Sequence, residues 1–335
     1  YGPTGVEYAA TGCAITTPHT QVRCYTTQGV GRGHVWVVTV AGQISPTSTA
    51  TTRYRTPRIT DVTGQGAELA DTKGNELVIL TGTDFGPAGG AGGTGGGATP
   101  IVRYGGAAAD RYTARLCNVS MEVPHTVIRC FTAPGTGKDH AWRVEVAAQD
   151  SPVYAANTSY HPPIVATFPR GFSGAVDAWT GGNQPVLVQG DYFGSLALAT
   201  VPSVTYGPEG VEFTARNCSI VSAHTQIQCN TTEGAGADLR WIVTVDGQNS
   251  RSPTTNYGRP EVHAVVGQPG GGFSSDGGEV FTLVGKNFGP PSSSSSSGGG
   301  GDGEVYLQSV TYGPSATEYT AVDCQVMDHD EIQCT

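Results

Sequence analysis

Apolar residues in this chain come in short alternating runs rather than long stretches. Trp142, Val144 and Val146 alternate with Arg143 and Glu145, the period of two expected of a strand with one solvated face. Val35-Trp36-Val37-Val38 is another such run. Between the runs lie turn residues: 49 glycines and 21 prolines punctuate the 335 positions. The pattern predicts many strands joined by turns, and no long helix is readable anywhere.

The runs recur in a fixed order. Cysteine pairs stand at Cys13/Cys24, Cys117/Cys130, Cys218/Cys229 and Cys324/Cys334, with first cysteines 104, 101 and 106 residues apart. Each pair follows a Tyr-Gly-Pro-like opener at Tyr1, Tyr104, Tyr206 and Tyr312. Glu7-Tyr8, Glu212-Phe213 and Glu318-Tyr319 match one another, with Arg111-Tyr112 as the deviant, and a β-branched residue sits two before each second cysteine. Two strands with a stapled turn are expected there. A strand with Trp36, Trp142 or Trp241 follows, then a turn at Gly42-Gln43, Ala148-Gln149 or Gly247-Gln248, then boundary prolines at Pro57, Pro162-Pro163 and Pro260. The tryptophans read as core residues. A period of about one hundred residues is that of a small domain, so the chain is an array.

Beyond each boundary comes Leu80-Thr-Gly82-Thr-Asp-Phe85-Gly86, Val188-Gln-Gly190-Asp-Tyr-Phe193-Gly194 or Leu283-Val-Gly285-Lys-Asn-Phe288-Gly289. Glycine there allows a bend or a positive φ. With the Pro-x-Ile-like openings Pro57-Arg-Ile59 and Pro163-Ile164, these residues resemble the IPT/TIG immunoglobulin-like repeats of plexins and other cell-surface glycoproteins. The resemblance runs through the whole chain. It departs from the pattern in the Asp-Tyr before Phe193 and in a Gly/Ser insertion after Phe288. It implies an all-β tandem array of small β-sandwiches, each of two antiparallel sheets packed face to face. The expected divisions are the C-terminal part of a repeat over 1–55, complete repeats over 56–160 and 161–258, and the N-terminal part of another over 259–335.

Charge narrows the function. A net charge of −10 repels nucleic acid and anionic lipid. No run of eighteen apolar residues exists to insert in a membrane. All eight cysteines fall in pairs with nine to twelve residues between them, and none has the C-x-x-C spacing of a zinc or thioredoxin-like site. Disulfides are the simpler reading. Of the 105 connectivities open to eight cysteines, closure within each repeat is the most economical, and each loop of this length adds about 2–3 kcal/mol. Stable disulfides place the chain in an oxidising compartment, outside the cell or on its surface. Sequons at Asn118, Asn157, Asn217 and Asn230 make N-glycans the expected covalent groups, Asn217 being the weakest because Cys218 lies inside it. Serine, threonine and proline richness also suits O-glycosylation.

Candidate chemistry mostly dissolves into the repeat. His19, His125, His224 and His329 sit near one repeat position, a turn or hydrogen-bonding role rather than a metal site. Asp328-His329-Asp330-Glu331 and Gly301-Asp302-Gly303-Glu304 lack the EF-hand order and read as solvated acidic turns. The glycine tract Gly86 to Gly97 has no Gly-Lys-Ser/Thr and no following helix, so it is not a phosphate loop, and Ser292 to Gly301 reads as a surface loop. No nucleophile elbow is present. Arg53, Arg55 and Arg58 form the one local basic cluster, at a junction between repeats. The reading is therefore non-enzymatic, with no catalytic, cofactor or metal residues.

The expected function is that of a structural glycoprotein, a segment of an extracellular filament or coat. Because the first and last repeats are partial, strands of a neighbouring molecule or of the continuing chain are expected to complete them, and head-to-tail contacts of that kind build a fibre. The competing reading is an adhesion or receptor ectodomain that binds a protein ligand.

Overall fold

A strand buried on one face needs a second sheet to cover it, and the second and third repeats each supply one. A computed structural model describes residues 1–89, 97–196, 202–251, 253–267, 272–291 and 306–335. They fold into two units, Tyr1–His161 and Pro162–Thr335. Among the described residues the one helical element is a 3-10 turn at Gln65–Ala67.

In the second repeat one sheet runs in the order Arg115–Val119, Val127–Phe131, Leu77–Thr83, Arg58–Thr63. The other orders Tyr112–Thr113, Ile101–Tyr104 and His140–Val146, with Gln149–Asp150 and Tyr154–Thr158 both pairing with His140–Val146. All these pairings are antiparallel. The third repeat copies the plan: Arg216–Ser222, Gln226–Asn230, Pro185–Asp191 and Ile164–Thr167 face a sheet of Phe213–Thr214, Ser203–Gly207 and Leu239–Val245 with two short strands beside it. Its core draws on both sheets, with Val186, Val188, Val204, Ile227, Trp241 and Val243 all buried. Burial along His140–Val146 alternates after Trp142, with Arg143 and Glu145 half-buried between buried Val144 and Val146.

The flanking repeats hold parts of the same plan. The first contains the hairpin Thr11–Thr17/Gln21–Tyr25 and the ribbons Arg32–His34/Thr52–Arg53 and Thr39–Val40/Gln43–Ile44. The fourth contains the sheet Gln325–Asp328, Glu331–Cys334, Phe281–Lys286, Glu261–Val266 and a ribbon of Thr311–Tyr312 with Tyr319–Thr320.

The glycine motif is explained by a bulge that occurs in three repeats. The opening strand slips register between Ile59 and Asp61, between Val165 and Thr167, and between Val262 and Ala264, beside Gly82, Gly190 and Gly285 respectively. A Cβ on those glycines would stand 2.0, 1.9 and 1.9 Å from the carbonyl oxygens of Arg58, Ile164 and Glu261. Close approach of the neighbouring strand, and not a positive φ, is what requires glycine here. The left-handed positions come later in the motif, at Asp84, Tyr192 and Asn287 with φ of 61°, 64° and 61°, and at Gly86, Gly194 and Gly289. Phe85, Phe193 and Phe288 then turn into the core.

Candidate interaction surfaces

The repeated aromatic positions form one assembly, built three times, half-buried in the first repeat and buried in the second and third. Tyr1, Tyr104 and Tyr206 stack on Trp36, Trp142 and Trp241 with ring centres 4.3, 4.3 and 4.2 Å apart. For the second and third repeats the strand register sets the stack, placing Tyr104 opposite Trp142 and Tyr206 opposite Trp241. Each indole N–H donates to a threonine hydroxyl, Thr52, Thr158 or Thr255, at 3.0, 2.8 and 2.7 Å. The opener hydroxyls meet a second tyrosine, Tyr54, Tyr160 or Tyr257, at 2.6, 2.5 and 2.6 Å, and that tyrosine donates to the carbonyl of Thr27, Ala133 or Thr232. Burial with satisfied hydrogen bonds is what lets tyrosine and tryptophan serve as core. Sequence reading missed the second tyrosine. Its signal was there, three residues before the prolines Pro57, Pro163 and Pro260.

Burial pushes the Tyr104 phenol up to about 12, and it raises Tyr54, Tyr160, Tyr206 and Tyr257 above the ordinary value as well. One core position beside these rings varies: His34 and His140 stand where the third repeat has Leu239. His34 is ringed by Tyr1, Tyr8 and Tyr54 at 5.5–6.3 Å. An imidazole that a leucine can replace inside the core is packing, not a reaction centre.

The recurrent glutamate also has a structural role. Glu7 accepts from the Thr4 hydroxyl and from the N–H groups of Thr4 and Val6, which holds its carboxyl down to about 2. Glu212 is lowered against a burial effect that pushes it up, by the N–H groups of its own turn, including Glu209, Gly210 and Val211. Glu318 is lowered first by its bond to Ser315. The glycine after the opener tyrosine faces this carboxylate. At Gly2, Gly207 and Gly313 φ is 145°, 144° and 122°, and a Cβ would reach the glutamate Oε2 at 2.2, 2.0 and 2.5 Å. Arg111, the deviant, instead lays its guanidinium over the Tyr112 ring, 5.1 Å from its centre.

Disulfides join Cys13 to Cys24, Cys117 to Cys130, Cys218 to Cys229 and Cys324 to Cys334. The residue before each first cysteine, Gly12, Leu116, Asn217 or Asp323, lies in the left-handed region. In the first three repeats it sits in a register slip between the hairpin strands. The hairpin histidines His19, His125 and His224 take the left-handed turn position, with φ of 66°, 67° and 68°. The main chain of His125 and of His224 bonds to Phe85/Gly86 and to Phe193/Gly194, tying the hairpin to the glycine motif. Among the described residues no group of histidine, cysteine and acidic side chains could hold a metal. Gly301-Asp302-Gly303-Glu304, Ser292 to Gly301 and most of the Gly86 to Gly97 tract lie outside the described residues.

Of the sequon asparagines, Asn118, Asn157 and Asn217 are exposed, while Asn230 is half-buried with its amide donating to Asn183 Oδ1 at 3.2 Å. Asn217 doubles as the left-handed residue before Cys218, a conformation asparagine tolerates.

Within each unit, neighbouring repeats meet through equivalent residues. Val30 packs on Gly86, where a Cβ would fall 2.2 Å from its Cγ1, and Gln149 donates to the Tyr54 carbonyl at 3.2 Å. In the other unit Ala235, the counterpart of Val30, faces Gly289, the counterpart of Gly86. There His329 turns its ring into the junction, Nδ1 lying 3.0 Å from Thr180 Oγ1 and Nε2 3.8 Å from Glu233. A groove of about 1050 Å³ beside it is lined by Leu283, Phe288, Tyr306, Val310, Tyr312 and Ile332. It follows the face of the fourth repeat that the tryptophan strand covers in the second and third.

Residues 175–257 match the IPT/TIG domain family. Among curated proteins no sequence matches the chain. Solved structures with similarity include the plexin A4 extracellular region (15% identity over 83% of this chain, TM-score 0.27) and the surface glycan-binding protein PbSGBP-B from Prevotella bryantii (11% over 71%, 0.39). The Escherichia coli adhesin FdeC is a third, at 14% identity over 77% of this chain and 84% of its own, with a TM-score of 0.26. The chain spans 20% of the plexin structure and 60% of the glycan-binding one. Residues 175–257 thus match the IPT/TIG domain family, and the repeated sheets, disulfides and aromatic core are those of an all-β tandem array of immunoglobulin-like sandwiches.

Proposed function

We propose that this chain is a non-enzymatic, extracellular structural glycoprotein whose copies associate head to tail, N-glycosylated at Asn118, Asn157 and Asn230 and, more weakly, at Asn217. The observation that carries the reading is the seat shared by both units, Val30 on Gly86 and Ala235 near Gly289. A chain that spends its recurrent residues on joining one sandwich to the next in a repeated way is organised to transmit position and load along itself. Four disulfides suit an oxidising compartment, and no helix among the described residues is long and apolar enough to cross a membrane.

A receptor or adhesin ectodomain with a protein ligand is the second reading. It is favoured by Leu116 and Met121 of the second repeat, which expose 73% and 88% of their surface. Electron cryomicroscopy of the native, unreduced secreted protein separates the two. Fibres whose density repeats with these sandwiches and bears glycans at the named asparagines support the structural reading; discrete particles at every concentration overturn it and leave the ligand-binding one.

A further inference from the structure

Charge is distributed unevenly along the array. Residues 1–55 hold four arginines and one acidic residue, net +3, whereas residues 259–335 hold two basic and ten acidic residues, net −8. The two repeats between them carry eight basic against ten acidic and four basic against seven, net −2 and −3. The chain is therefore polarised, basic at its first repeat and acidic at its fourth.

Each extreme contains a like-charged cross-strand pair. Arg32 lies directly opposite Arg53 in the first repeat, and Asp328 lies directly opposite Glu331 in the fourth. Like charges facing each other across an antiparallel ladder destabilise it. Neither pair is imposed by the fold. At the equivalents of Arg32 and Arg53 the second repeat has Lys138 and Ser159, and the third has Ala237 and Asn256. At the equivalents of Asp328 and Glu331 they have Pro124 and Val127, then Ala223 and Gln226. Arg32, Arg53, Arg55 and neighbouring Arg58 are all exposed, as are Asp328, Asp330 and Glu331. Among the described residues none of these seven side chains forms an ion pair. Two unneutralised pairs of opposite sign, each found only in its own repeat, complement one another.

We infer that the arginine face of the first repeat, centred on Arg32 and Arg53, docks on the acidic hairpin of the fourth repeat, centred on Asp328 and Glu331, of a second copy of this chain. Within one molecule of net −10, copies repel unless this face meets that hairpin, so the contact fixes direction as well as affinity. The inference rests on the head-to-tail reading above and names the surfaces that would execute it.

Sedimentation velocity of the whole chain at low and high salt tests it. The expected result is self-association in about 20 mM salt that falls at least tenfold in affinity by about 300 mM, as the screening length shrinks well below 10 Å. The double substitution Arg32→Ala with Arg53→Asn installs the residues of the third repeat, so its fold is expected to survive, which circular dichroism checks. It should abolish association at low salt. Substituting Asp328→Lys with Glu331→Lys in one sample and Arg32→Glu with Arg53→Glu in another should leave each monomeric and restore association on mixing. Assembly that ignores both salt and these substitutions overturns the docking surface while leaving head-to-tail assembly standing. Monomers under every condition overturn both, and so does an arginine face that retains only a sulfated polysaccharide such as heparin.

Discussion

The residues that recur in this chain are the ones that satisfy each other. Tyr104 is conspicuous because its ring needs Trp142 and its hydroxyl needs Tyr160, and loss of any one strands a buried polar group or leaves a cavity. The same ring pair carries a pH dependence. Burial raises the Tyr104 phenol to about 12 against an ordinary 10, so its contribution to stability is fully present below pH 10 and is lost as pH rises through about 12. In an alkaline titration followed by phenolate absorbance and near-ultraviolet circular dichroism, a tyrosine free in solution ionises near pH 10. Tyr104 should ionise only together with loss of the aromatic dichroism, near pH 12, with Tyr160, Tyr206 and Tyr257 likewise held above the ordinary value by burial. Smooth ionisation of all fourteen at pH 10 with dichroism retained would contradict the buried assembly.

At the scale of the element, the hairpin is the recurring device. Its left-handed residue before the first cysteine, its bulge and its left-handed turn histidine together aim two cysteines at each other from adjacent strands. Cys218→Ala with Cys229→Ala should cost about 2–3 kcal/mol, the entropy of the loop the disulfide closes. Hydrogen exchange should place that loss in Gln226–Asn230 and its neighbours in the third repeat, with the strands of the second repeat unchanged. A uniform loss over the whole chain would mean that the repeats do not fold as separate sandwiches. The glycine motif was visible as punctuation in the sequence, yet its physical cause was not: Gly190 is required by the carbonyl of Ile164, which arrives from a strand over twenty residues earlier.

At the scale of the molecule, junction residues matter most. Gly86 has φ of 89° and no room for a Cβ beside Val30, so Gly86→Ala adds both backbone strain and overlap, about 1–3 kcal/mol of it at the seat between the first two repeats. Tryptic cleavage after Arg53 or Arg55 is then expected to accelerate about fivefold or more while the aromatic dichroism of the sandwiches persists. An unchanged cleavage rate would show that Val30 on Gly86 does not couple the repeats.

The sequence by itself determined the strand character, the hundred-residue period, the cysteine spacing and the uneven charge, because alternation, punctuation and composition are local or periodic properties that survive in one dimension. It also carried the IPT/TIG resemblance, since that family is marked by turn residues in order. Only the tertiary structure decided why those residues are there. The Tyr-Trp stack, the second tyrosine, the carboxylate over its turn and the bulge opposite Gly82 all join segments many residues apart, and the facing of Arg32 by Arg53 depends on strand register, which no single run of sequence encodes.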